Sequence, residues 1–517
     1  MRPAFSAGPL SQPFRRPGQR GNLPGAGEIR ELTGDVAAAA DLWSGCCTCP
    51  AVTARLCTTR SRRTADLPPA MLWSVTGDSH RGGASRTITR TMGAPVPETD
   101  LKAQAATVSL STAARPSGEK ALLSGHSLGQ PLGRIRTSRR DRDVQLAPFL
   151  IERMFARHEF TCRVNLTGSD AEGLSLDALW EVAPEDTRRW FESLTLGYTE
   201  SPGHPLLREL AAQSSGVRSG SAVQVFAGAT EAVFVVFNAI LGPGDHVVVI
   251  GPAYQLLIDV PRAIGAEVTE VRLRREDGWR LDVDKVRSAL RPDTRLIVAN
   301  FPHNPTGALP EAPVFEELLG LVDGTETLLL SDEIYRGIEM EPQRRLPSAA
   351  AMTANAISVT GVSKVLGMAG VRIGWTVTQN AAVTARLLDY RYWTTLATSA
   401  PSEVLAVAGL QAAPALVDRA SSLVRANSRA LASFVESTPG WDWVPPVGGT
   451  CAYPWLTATK AQAFSEWLVD RHGVLLTPDV MFEHAGQHLR FGLGRALFPE
   501  GMATLAQAWP EWRRVTS

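Results

Sequence analysis

Six short runs of apolar or β-branched residues recur at 222–226, 246–250, 267–273, 295–299, 327–331 and 356–360. Helical patterns or turn clusters separate them. A strand solvated on one face alternates apolar and polar residues, whereas a near-continuous apolar strand needs cover on both faces. Alternation of such strands with helices predicts an α/β fold around a mainly parallel sheet. In sheets of this kind the ligand site gathers at the carboxyl ends of the strands. The side chains that follow these runs are therefore the candidates for chemistry.

Residues 1–143 have a different texture. They are rich in Arg, Ser, Thr, Gly and Pro and sustain neither a helical nor a strand period. The chain balances 52 Lys plus Arg against 52 Asp plus Glu, yet the first 143 residues hold about 20 basic and about 11 acidic ones. A basic leader thus precedes an acidic body. Its opening, MRPAFSAGPLSQPFRRPGQR, is Arg-bearing and acid-free, as organellar transit peptides are. Lysine occurs only at Lys102, Lys120, Lys285, Lys364 and Lys460, with Arg used elsewhere. That bias fits a GC-rich coding sequence, whose upstream DNA reads as Arg- and Gly-rich protein. A disordered extension or a mis-assigned start is the expectation for this segment.

Cys46, Cys47, Cys49 and Cys57 crowd into the leader, while Cys162 and Cys451 stand alone in the body. The pattern is no disulfide framework and fits a reducing cytoplasm. No second Cys or His pair follows Cys46-x-x-Cys49 at zinc-binding spacing, so no metal is expected. No apolar run reaches the roughly 18 residues of a membrane span. Nothing in the body suggests a nucleic-acid surface.

The segment SVTGVSKVLGMAGVRIGW, 358–375, carries the strongest chemical signal. Lys364 follows a buried strand and precedes Gly370, Arg372 and Gly374. An ammonium is expensive to bury and must lose a proton before it can attack a carbonyl. Beside cationic Arg372, Lys364 is expected to have a depressed pKa; taken alone, a surface lysine snorkelling from a helix end is the blander reading. SDEIYRG (331–337) puts Asp332 at a strand end, with Tyr335 three residues on. NFPHNPTG (300–307) makes a tight turn around Asn304, with a cis bond to Pro305 as one expectation. Gly228-Ala229-Thr230 lies between a strand and a helix expected from about 231 to 241, where backbone N–H groups can meet a phosphate. HLRFGLGR (488–495) sets Arg490 in a strand, where its planar fork suits a carboxylate.

Taken together, in this order and spacing, these motifs resemble the fold type I pyridoxal-phosphate enzymes, specifically the class I/II aminotransferases, from about residue 146 to the end. The resemblance implies pyridoxal 5′-phosphate as cofactor, held by Lys364 as an aldimine. It implies that Arg372 and Ser363 reach the cofactor phosphate, with Gly228, Ala229 and Thr230. Asp332 would hold the pyridine nitrogen protonated, Tyr335 and Asn304 would bond the phenolate oxygen, and Tyr254 of GPAY would stack on the ring. Gly361 departs from the serine that many members carry three residues before the lysine, which weakens one phosphate contact. Arg490, with Asn304 and the segment around Gly168, would bind the amino-acid substrate. Tyr198 in YTESPGHPLLREL would cross to the phosphate of a second subunit, implying a homodimer with shared sites.

The fold so implied is a three-layer α/β/α large domain, 190–420, with a mostly parallel seven-stranded sheet. A smaller α+β domain would combine 144–189 with 421–517, as in aspartate aminotransferase. The implied activity is transfer of an amino group between an amino acid and a 2-oxo acid in the cytoplasm, with Tyr392, Trp393 and Thr395 as candidate pocket residues. A lyase or amino-acid cyclase of the same fold is the nearest alternative. A DNA-binding regulator with an aminotransferase-like body is the other, although 1–143 lacks a helix-turn-helix pattern.

Overall fold

The computed structural model describes residues 146–482 and 486–516, together with two four-residue strands, Trp73–Thr76 and Thr87–Arg90, which pair antiparallel. The remaining expectations for 1–143, including Cys46-x-x-Cys49, lie outside the described residues.

Seven strands form the main sheet. They are β1 Val223–Phe226, β2 His246–Gly251, β3 Glu267–Arg272, β4 Thr294–Asn300, β5 Leu328–Asp332, β6 Ala356–Gly361 and β7 Gly374–Val377. Their spatial order is β1-β7-β6-β5-β4-β2-β3. Neighbours run parallel except around β7, which is antiparallel to both β1 and β6. Six of the seven coincide with the apolar runs to within a residue or two; β7 was not singled out in the sequence.

The run of apolar residues in β2 shows why both faces must be covered. Val247 and Val249 pack with Val233, Val236 and Leu257 on one side of the sheet. Val248 and Ile250 point the other way, among Val286, Phe315 and Leu318. All four are at most 1% exposed, and burial of each such side chain contributes about 2 kcal/mol. Helices Ala229–Ile240 and Leu256–Ile264 supply the first layer, Val283–Ala289 and Ala312–Gly320 the second.

The C-terminal stretch packs into a core shared with β1 and β7 of the sheet. Strand Leu489–Gly492 lies between Cys451–Ala452 and Thr477–Pro478. Trp441 anchors the helices around it, with ring centroids 5.4 to 6.0 Å from Phe434, Phe464, Phe491 and Trp509. The segment after the first helix, Leu150–His158, joins this part: Val164–Asn165 pairs parallel with Val474–Leu475. Gly492 N–H donates to Leu166 O at 2.6 Å. That pairing brings residues 166–169 alongside Arg490. Among the described residues no single helix is long and apolar enough to cross a membrane.

Candidate active site

The carboxyl ends of β1, β4, β5 and β6 converge on one cleft with a cavity volume of about 120 Å³. It is lined by Ala229, Thr230, Tyr254, Asn304, Asp332, Tyr335, Lys364 and Arg490. Eight of the residues expected from sequence, drawn from segments between Ala229 and Arg490, therefore meet in one place.

Lys364 sits three residues past β6. Its Nζ donates to Ser169 Oγ at 2.9 Å, and it makes no ion pair among the described residues. Loss of hydration holds its pKa below the ordinary lysine range, and the charge of Arg490 adds to this while Asp170 opposes it. Arg372, the neighbour expected to depress it, is not among these causes. The Arg372 guanidinium is directed instead to the turn before helix Ala229–Ile240: a Cβ on Gly228 would lie 2.6 Å from its Nη2. Gly228 has φ +94°, which glycine adopts without strain, and caps that helix. The helix begins two residues earlier than expected because Glu231 reaches back to accept the Ala227 N–H at 2.5 Å.

Asp332, the last residue of β5, accepts the Ile334 N–H at 3.1 Å and makes no ion pair among the described residues, although the charge of Lys364 reaches it. Burial pushes its carboxyl up to about 7. Asn304 Oδ1 accepts from Arg490 Nη1 at 3.0 Å, and the Asn304 N–H donates to Asn300 Oδ1 at 2.9 Å. The Asn304–Pro305 bond is cis. Arg490 is 1% exposed; its Nη2 donates to Thr167 O at 2.9 Å, and its Nε has no partner. The Tyr254 hydroxyl donates to Glu152 Oε1 at 2.8 Å, and its ring centroid lies 5.2 Å from that of Phe149.

Other expected residues lie off the cleft lining. Ser363 is buried beside Lys364. Gly168 makes room for Arg495, whose Nε a Cβ would approach to 2.4 Å; Arg495 Nη2 pairs with Asp170 at 2.6 Å. Tyr198 is 91% exposed. Trp393 and Tyr392 are exposed too, and Thr395 Oγ1 donates to Glu231 Oε1 at 2.9 Å, so none of these three lines the cleft. Gly361 has a steric reason: a Cβ there would meet Ile373 O at 2.7 Å and Gly374 Cα at 2.8 Å, across the β6–β7 register. A serine at that position would push β7 away.

Sequence reading missed Ser169, the hydrogen-bond partner of Lys364, although it adjoins Gly168. It also gave no role to the first helix, whose Ile151, Glu152 and Phe155 line the cleft. The signal available was the helical spacing of Ile151 and Phe155 just inside the body.

The donor set fits pyridoxal phosphate. A guanidinium packed on a Gly-initiated helix N-terminus suits a phosphate. A buried carboxyl without a cation suits a protonated pyridine nitrogen, and a desolvated amine suits an aldehyde. The orphaned Asp332 gives a stability test. A folded-state pKa raised above the ordinary carboxyl value means that Asp332 favours the fold while protonated, and this contribution is lost as pH rises through about 7. In cofactor-free protein, Asp332→Asn should therefore gain in melting temperature over wild type between about pH 5 and pH 8. Saturation with pyridoxal phosphate should remove that gain. A difference independent of both pH and cofactor would contradict the assignment.

The family model for aminotransferase class I and II matches residues 164–508. A capreomycidine synthase from Streptomyces vinaceus is 33% identical over 310 residues, 59% of this chain and 79% of that protein. An arginine–pyruvate transaminase from Pseudomonas aeruginosa is 30% identical over 305 residues, 57% of this chain and 77% of the other. The crystal structure of a PLP-dependent cyclase, OrfR, matches with TM-score 0.66 and 26% identity, over 73% of this chain and 100% of that one.

Proposed function

This chain belongs to the class I and II aminotransferase family, and from that premise we propose that it moves an amino group between an amino acid and a 2-oxo acid with Lys364 as its central residue. One observation carries the residue assignment: a lysine and a carboxyl that make no ion pair among the described residues share a cleft with a buried arginine whose Nε lacks a partner. Bound pyridoxal phosphate supplies an aldehyde for amines and a ring that accepts the electrons left when an α-proton departs.

The chain's own groups do the rest. Arg372 and the N–H groups at the start of helix Ala229–Ile240 hold the phosphate. Asp332 would set a negative charge against the pyridine nitrogen, and Tyr335 with Asn304 would orient the ring oxygen. Tyr254 would cover one ring face. Arg490 takes the substrate carboxylate while Asn304 Oδ1 fixes the guanidinium from the side. Lys364 Nζ, biased toward the neutral amine by burial, takes the α-proton and later returns it.

A homodimer has separate support. Leu196, Tyr198, Trp393 and Leu396 are exposed apolar side chains on two loops, and Thr199 and Thr398 tie both loops to buried Glu403. Such a patch on a rigid base suits a subunit interface. Light scattering should return twice the chain mass of 55.6 kDa; a single-chain mass would remove the dimer. The free Cys162 and Cys451 support a cytoplasmic setting.

The relation to OrfR favours one second reading, a cyclase acting without an amino acceptor. Incubation of the holoenzyme with a panel of amino acids, with and without a 2-oxo acid, separates the two. Transamination predicts a new 2-oxo acid and a new amino acid only when acceptor is present. Product formed equally without acceptor would overturn it.

A further inference from the structure

Four charged side chains line the cleft: Lys364, Asp332, Arg490 and Glu152. In the reading above, three have tasks, which are the amine chemistry, the pyridine nitrogen and the substrate carboxylate. Glu152 is left over. It projects from the first helix, Leu150–His158, which also contributes Ile151 and Phe155 to the wall. One of its oxygens, Oε1, accepts the Tyr254 hydroxyl at 2.8 Å; Oε2 has no partner among the described residues. Glu159, seven residues on and thus on the same helix face, adds to the negative field, and the two carboxyls repel each other. Asp170 is nearby but already paired with Arg495. The cations of the cleft are thus at its cofactor and carboxylate end, and an exposed acid without an ion pair among the described residues faces the remaining space.

An amino acid held by its carboxylate on Arg490 and its amine at Lys364 must send its side chain into that remaining space. Apolar Ile151 and Phe155 suit a run of methylenes, and the carboxylate of Glu152 suits a cation at the end of it. An acidic side chain would meet like charge there, and a short apolar one would leave Glu152 unanswered. We propose that the amino donor is an amino acid with a long aliphatic side chain ending in a cation, a guanidinium or ammonium group, which Glu152 binds. This rests on the transaminase reading and on the same cleft.

The test uses holoenzyme and two substrates of nearly equal shape, L-arginine and L-citrulline, which differ in terminal charge. Wild type should favour L-arginine by about tenfold or more in kcat/KM, the size of one charge-assisted hydrogen bond between a carboxylate and a guanidinium. In Glu152→Gln the glutamine carbonyl can still accept the Tyr254 hydroxyl, and the arginine-to-citrulline ratio should fall about tenfold toward unity. Equal use of both substrates by wild type would overturn the proposal without any variant. So would an equal loss on both in Glu152→Gln, which would leave Glu152 only the task of holding Tyr254. Turnover of neutral or acidic amino acids with no advantage for arginine sinks this inference alone. Failure of every amino acid to convert the bound cofactor to its amine form sinks the transaminase reading itself.

Discussion

Lys364→Ala is expected to lower transamination by about 10⁴-fold or more, because one side chain is both the amine that engages the aldehyde and the base that moves the α-proton. The fold should survive. Lys364 makes one side-chain hydrogen bond, to Ser169, and an ammonium with a depressed pKa adds nothing favourable to stability. Melting temperature near that of wild type, with turnover lost, is therefore the expected pair of results. Added small amines should restore part of the proton transfer but not the covalent link. Activity within tenfold of wild type would mean that another group does the chemistry.

Asp332→Asn is expected to cost about 10²–10³-fold in kcat, comparable to removing one preorganised charge partner from a reacting site. Asparagine keeps nearly the same shape and can still accept the Ile334 N–H. What it loses is the negative charge that would keep the pyridine nitrogen protonated and the ring electron-poor. Without a cation bound beside it that charge is disfavoured, since burial lifts the carboxyl to about 7; the cofactor's cation would reverse the sign. Cofactor affinity should fall with kcat in this variant. Unchanged turnover would show that the ring needs no counter-charge from β5.

The two variants probe residues that the sequence made legible for different reasons. Strands β2, β4, β5 and β6 announced themselves because most of each is buried on both faces, so apolar residues dominate them. Lys364, Asp332 and Asn304 follow such runs directly and inherit their position at the strand ends. β7 was harder to see. It is four residues long and opens with Gly374, which lies too close to Ala229 N for any Cβ, so its composition is set by a close backbone approach. Arg372 was read as a neighbour of Lys364 from their closeness in sequence. In the fold a left-handed turn at φ +55° directs it to Gly228. Ser169 and Glu152 were hidden for a third reason. Ser169 enters the cleft through a long-range pairing, Val164–Asn165 with Val474–Leu475, and Glu152 on a helix start held by Gln255 through Leu150 N–H and Pro148 O, and no local pattern encodes either.

Reduction of the pyridoxal-phosphate-loaded protein with borohydride, followed by peptide mapping, tests the central claim most directly. The chain has five lysines, of which Lys285 and Lys460 share the described body with Lys364. A stable label confined to the peptide carrying Lys364 is the predicted result; a label on Lys285 or Lys460, or none on cofactor-saturated protein, would contradict it.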